Sequence, residues 1–174
     1  NFLLNTLTGW QEPPRARHQV AQALATHHRV AFVERNRIGR PGLTIREDPS
    51  GVALLTPVWP IDYRLRYRLP VLNVAYQEFL FRSLRQTALW AEADDWWILN
   101  FDHTATRLFA HFDARRIVYY CNDELIGNGR FTGGLIRRYH RATEAVVASR
   151  ARLCFATSPF LQRKLAGYGA NVHY

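Results

Sequence analysis

Short unbroken apolar runs recur along this chain, and helix-length segments separate them. The runs fall at residues 2–6, 29–34, 96–100, 117–121, 153–156 and 171–174. A strand that is apolar throughout is buried on both faces, which is the condition of a parallel sheet. Such a sheet needs helices to cross from strand to strand. The intervening segments supply them. Pro13-Pro14 opens a helix to about residue 27, with Val20 and Leu24 inward. Further helices are predicted over 72–91, 104–111, and from the glycine-rich stretch 127–134 to about 150. Ser158-Pro159 caps and starts one to about 165. Residues 36–41 read as a polar turn, and 43–46 and 52–56 as short strands joined through Asp48-Pro49-Ser50-Gly51. The predicted class is α/β: a three-layer Rossmann-like domain, a mostly parallel sheet of about seven strands, and helices on both faces. One domain spanning 1–174 is expected, with no internal boundary.

Composition agrees. Of 174 residues, 48% are hydrophobic and 21% charged, which excludes a disordered tail, a collagen-like fibre and a disulfide scaffold. Lys and Arg number 23 against 14 Asp and Glu, a net charge of +9, and Lys164 is the sole lysine. An arginine surplus points to an anionic partner such as phosphate, nucleic acid or an acidic membrane face. Codon preference gives the same surplus. Cys121 and Cys154 sit in apolar runs and read as buried thiols. Without a Cys/His cluster, no metal is expected. No apolar run is long enough to span a bilayer, and no signal peptide is apparent. The chain contains no methionine, so it is expected to begin after processing or to be a piece of a longer protein.

Ligands of parallel sheets bind at the carboxyl ends of the strands. After the first strand comes Thr8-Gly9-Trp10-Gln11-Glu12-Pro13, with one glycine where a dinucleotide site needs GxGxxG. Arg15, Arg17 and His18 follow at the start of the helix, as an anion site or a solvated basic turn. Asn100-Phe101-Asp102-His103-Thr104 offers Asp102 as a helix cap or sugar contact and His103 as a base. Asn122-Asp123-Glu124 places two acids beyond the next strand, as acceptor contacts, a general base or a solvated turn. The loop at 127–134, with Arg130, lacks the Lys-Ser/Thr of a P-loop and reads as a cover for a ligand or as plain flexible chain.

From Tyr63 to Leu69 the residues alternate strictly, with Arg64, Arg66 and Arg68 on one side. That is the pattern of an edge strand. The mixture of arginine and aromatic residues also suits a membrane interface. The helix that follows carries Leu72, Tyr76, Phe79 and Leu80 on one stripe, with Val74, Phe81 and Leu84 off it beside Arg82 and Arg85. A second contact surface, or a wide core-facing stripe, accounts for them.

The series of segments resembles the N-terminal half of a bacterial GT-B glycosyltransferase, of the kind that builds surface polysaccharides or teichuronic-type polymers. Trp10 followed by Arg17-His18-Gln19 and Ala23-Leu24-Ala25 is similar to that family's Trp…Arg-Pro-Gln-Gln-Leu-Ala stretch. His28-Arg29-Val30-Ala31-Phe32-Val33-Glu34 resembles its His-Arg-Val-Leu-Tyr-Val-Glu strand. Val118-Tyr119-Tyr120-Cys121-Asn122-Asp123-Glu124 is similar to Val-Tyr-Asp-Cys-Val-Asp-Asp, with Tyr120 where the family has Asp. Phe155-Ala156-Thr157-Ser158-Pro159-Phe160-Leu161 resembles Phe-Ala-Thr-Ser-Pro-x-Leu, and Asn171-Val172-His173-Tyr174 the run before Pro-Asn-Gly-Val-Asp.

The resemblance implies two Rossmann-like domains facing a cleft. This chain is then the acceptor side, and a C-terminal domain outside it binds the nucleotide-sugar donor. No cofactor is expected within the chain itself. Asp123, Glu124 and His103 become the catalytic candidates. Gly9, Trp10, Arg17, Asp102, Asn122 and Arg130 become substrate contacts. Arg64, Arg66, Arg68, Arg82 and Arg85 become the surface for a lipid-linked or glycan acceptor and an anionic membrane. A cytoplasmic protein on the inner face of a bacterial plasma membrane is expected, with no nucleic acid partner. The rival reading is a polyanion- or nucleic-acid-binding module, favoured by the net charge.

Overall fold

The computed structural model describes residues 1–91, 95–124, 126 and 133–174. It resolves into two compact units, Asn1–Leu99 and Asn100–Tyr174. Nine strands are described rather than about seven. The α/β class and the mostly parallel pairing are as expected.

In the first unit, β1 (Phe2–Asn5), β2 (Val30–Val33) and β5 (Val52–Trp59) pair in parallel, with Leu4 opposite Phe32 and Phe32 opposite Leu54. All four residues of β2 are buried, as an unbroken apolar run in a central strand requires. β6 (Trp97–Asn100) lies on the other side of β1, and the Trp97 N–H donates to the Asn1 carbonyl at 2.9 Å. β4 (Gly42–Glu47) returns antiparallel on β5 and is mostly exposed, the solvated edge of this sheet. The predicted polar turn contains β3 (Arg37–Ile38), a two-residue strand parallel to the end of β5.

Helix α1 (Ala16–Ala25) begins later than Pro13. Its buried face is Arg17, His18 and Ala21, while Val20 and Leu24 are only half-buried. The alternating segment is a helix, not a strand: α2 (Tyr63–Arg68). Asp62 caps it, accepting the Arg64 N–H at 2.8 Å. α3 (Pro70–Arg85) follows at once, with Pro70 in its first turn. The predicted single helix to residue 91 breaks after Arg85, and α4 (Ala88–Ala91) restarts behind Thr87, whose hydroxyl accepts the Trp90 N–H.

In the second unit, α5 (Thr106–Phe109) precedes β7 (Ile117–Cys121). The order then runs α6 (Gly134–Arg150), β8 (Leu153–Ala156), α7 (Pro159–Ala166) and β9 (Val172–His173). β7, β8 and β9 are parallel neighbours. Ser158 caps α7 as expected, its hydroxyl accepting the Leu161 N–H. Tyr119, Cys121, Cys154 and Ala156 form the buried side of these strands, and Phe155 lies open on the other. Burial pushes the Cys121 and Cys154 thiols up to about 11 and about 12, so both stay protonated.

Candidate functional site

The loop after β1 is built from below. Thr6 donates its hydroxyl to the Val33 carbonyl at 2.8 Å. Arg17, buried in α1, donates to the Thr8 hydroxyl at 2.5 Å. Arg17 therefore supports this loop from inside.

Glu34 directly follows β2 and is 5% exposed. Its carboxylate accepts the Trp10 N–H at 2.7 Å, an Arg46 N–H at 3.0 Å and the Thr56 hydroxyl. Burial alone raises its pKa, but these donors outweigh it and hold the carboxyl below its ordinary value. The Trp10 indole N–H is in turn taken by Asp48 at 2.7 Å.

His18 Nδ1 accepts the Arg15 N–H at 3.0 Å, so Nε2 carries the proton and donates to the Gly9 carbonyl at 3.2 Å. Its ring stacks on Phe32, and Trp10 packs edge-on to Phe32. The Gly9 N–H is held by Glu12 at 3.1 Å, and Glu12 pairs with Arg35 at 2.6 Å. Gly9 and Trp10 thus sit half-buried on a loop fixed in advance. A Cβ on Gly9 would approach nothing closer than the Glu12 carboxylate at 3.6 Å.

In the second unit, Asp102 caps its own turn. Oδ1 accepts both the Thr104 N–H at 2.8 Å and the Thr104 hydroxyl at 2.7 Å. Asn100 clamps the Asp102 backbone from both sides, at 2.7 and 3.2 Å. Asp102 and His103 are both buried, and Asp102 closes the turn before α5 rather than capping that helix, whose N-cap is Ala105. His103 Nε2 meets His140 Nδ1 of α6 at 2.8 Å. Burial first, with His140 and Lys164, pushes the His103 pKa down to about 4 against Asp102 and Glu124. His103 is thus enclosed against α6 and held neutral.

Glu124 is not a solvated acid. Lys164 of α7 reaches both Glu124 and the buried Glu144 of α6, at 2.6 Å each. Tyr119 and Tyr168 donate to Glu144 at 3.5 and 3.4 Å. Burial lowers the Lys164 pKa, but the two carboxylates more than reverse it and keep the ammonium charged. One cation cannot neutralise two acids, and the more enclosed Glu144 is raised by burial. Glu124 Oε1 also accepts the Ile126 N–H. The Asn122 carbonyl takes the Thr157 hydroxyl, leaving the Asn122 side chain half-exposed. Asp123 is exposed just beyond β7. Glu34, Glu144, His140 and Lys164 are the members of these networks that the strand-end reading misses. For His140 and Glu144 the readable signal was their i, i+4, i+7 spacing with Val147 on the buried face of α6.

Arg64, Arg68, Arg82 and Arg85 are exposed, with Leu65, Leu69, Val71 and Val74 open beside the first two. Arg66 is not on that surface. It is 1% exposed, its guanidinium 3.7 Å over the Tyr76 ring and bonded to Asn73 Oδ1 at 3.2 Å. Arg130 and the loop residues 127–132 lie outside the described residues. Among the described residues no three His, Cys, Asp or Glu side chains converge on a common point. No described helix is long and apolar enough to cross a membrane.

No protein-family profile matches the chain, and no curated protein matches it. A solved E. coli structure, "Trehalose-6-phosphate from E. coli bound with UDP-2-fluoro glucose", is similar in fold, with a TM-score of 0.57 and 11% identity. The match covers 95% of this chain and 41% of that one, so the chain spans less than half the length of its structural neighbour. The likeness shows the fold, an α/β Rossmann-like one.

Proposed function

We propose that this chain is the acceptor-side half of a glycosyltransferase that moves a sugar from a nucleotide-sugar onto a lipid-linked or glycan acceptor. The observation that carries the reading is the fold, matched over 95% of this chain to part of a GT-B enzyme. The donor domain lies outside these residues, and the chain alone turns nothing over. Asp123, exposed at the carboxyl end of β7, is the acceptor contact or general base. Glu124 and His103, held by Lys164 and His140, shape its surroundings. Gly9 and Trp10 approach the donor diphosphate.

Arg64 and Arg68, with the open Leu65, Leu69, Val71 and Val74, form an arginine-rimmed apolar patch that rests on an anionic membrane. In the natural protein carrying its donor domain, Asp123→Asn lowers kcat by at least about a hundredfold. Unchanged turnover removes the assignment. Residues 1–174 float with phosphatidylglycerol vesicles and not with phosphatidylcholine vesicles, and Arg64→Glu with Arg68→Glu abolishes flotation. Flotation indifferent to lipid charge contradicts the membrane surface. The net charge of +9 also keeps a polyanion-binding reading open, which tight, steeply salt-dependent binding to random duplex DNA would favour.

A further inference from the structure

A groove of about 720 Å³ lies in the first unit between α3 and the β4–β5 hairpin, within the size range of small-molecule sites. Its aromatic wall is Trp59, the last residue of β5, and Phe79 of α3, with ring centroids 4.7 Å apart. Tyr76 packs behind Trp59 at 6.1 Å and is itself backed by the buried Arg66, so the wall is braced from inside. The Trp59 indole N–H is shut off from water and has no acceptor among the described residues. Packing alone therefore fixes that ring. Both aromatic residues stay half-exposed toward the groove.

The polar lining is Glu78 and Arg82, one helical turn apart on α3, together with Ser83, Gln86 and Thr87. One acid and one base leave the groove without net charge, on a chain whose overall charge is +9. Phosphates and polyanions are drawn to the arginine-rich surfaces instead. Flat rings for the C–H faces of a pyranose, and amide, carboxylate and guanidinium groups for its hydroxyls, suit an uncharged sugar chain. The groove opens at the carboxyl end of a parallel strand, where open α/β sheets take their ligands.

We infer that this groove binds a neutral oligosaccharide segment, stacked on Trp59 and Phe79 and hydrogen-bonded by Glu78, Arg82 and Gln86. Its meaning as an acceptor subsite rests on the glycosyltransferase reading; the binding itself does not. The test is a titration of the ¹⁵N-labelled chain with cellohexaose, maltohexaose and N-acetylchitohexaose, with a heparin oligosaccharide as the anionic control. The readout is the indole signal that Trp59→Phe removes. At least one neutral glycan shifts that signal saturably, and Arg82→Ala, a surface change that leaves the fold intact, weakens binding about tenfold or more. If no neutral glycan moves the signal, or heparin moves it at lower concentration, the inference is overturned. Glycan binding by the chain, without sugar transfer by the natural protein, would remove the glycosyltransferase reading and leave the groove standing. Transfer that survives Arg82→Ala, with no glycan binding, would do the reverse.

Discussion

At the scale of single residues, two buried groups dominate and both titrate. His103 is enclosed with a pKa of about 4 against an ordinary value of 6.5. The unfolded chain therefore binds a proton that the folded chain refuses, and stability is lost as pH falls from 6.5 toward 4. The loss amounts to about 3 kcal/mol. Urea midpoints at pH 7 and pH 4.5 should show it, and His103→Gln should flatten the difference. Glu34 has a lowered pKa, so its contribution is present above the ordinary carboxylate range and fades in acid. Glu34→Ala leaves the Trp10 N–H and the Thr56 hydroxyl without their acceptor and costs about 2–4 kcal/mol by urea denaturation at neutral pH.

Gly9 behaves differently. A methyl group there makes only ordinary contact with Glu12, so Gly9→Ala leaves the melting midpoint nearly unchanged. Any large loss of turnover in the natural protein then reports a ligand passing close to that backbone. Of these positions, Gly9 and Trp10 were legible from their place after an apolar run. The duty of Glu34 was not, because its partners Arg46 and Thr56 come from strands that only the folded sheet brings alongside.

At the scale of elements, the central strands were the easiest to read, since a run such as Val30-Ala31-Phe32-Val33 has no exposed face to interrupt it. The edges were not. β3 hides in a polar stretch because an edge strand needs no apolar pattern. The segment Tyr63–Arg68 shows why period alone misleads. Its alternation places the arginines together on one face of a strand, but Asp62 and Pro70 bracket a helix only six residues long, too short for a helical period to show. Burial then selects adjacent residues, Arg66 and Tyr67, and leaves Leu65 outside. A buried arginine is tolerable here because Tyr76 supplies a ring face and Asn73 an oxygen. Arg66→Ala should accordingly destabilise by about 2–4 kcal/mol, through lost stacking on Tyr76 and the lost hydrogen bond to Asn73. Arg64→Ala and Arg68→Ala, at exposed positions, should leave the urea midpoint nearly unchanged. Equal effects at all three positions in urea unfolding would contradict this account of α2.

At the scale of the whole molecule, the fold class follows from the alternation of apolar runs and helices, and the solved neighbour agrees with it over 95% of the chain. What that alternation could not supply is how the acids divide. Asp123 stays open, while Glu124 is taken by a lysine forty residues on, at 2.6 Å. Helix α7 brings that lysine back to the end of β7, a return no local spacing encodes. The central claim is that these residues serve sugar transfer. The direct measurement is to capture the natural protein from its source with an antibody to this chain. It is then incubated with radiolabelled nucleotide-sugars and membranes from the same source. The account predicts label in a lipid-linked or glycan fraction from at least one donor, and none from residues 1–174 alone. A captured protein that transfers no sugar from any donor, yet binds random DNA tightly with steep salt dependence, would contradict it.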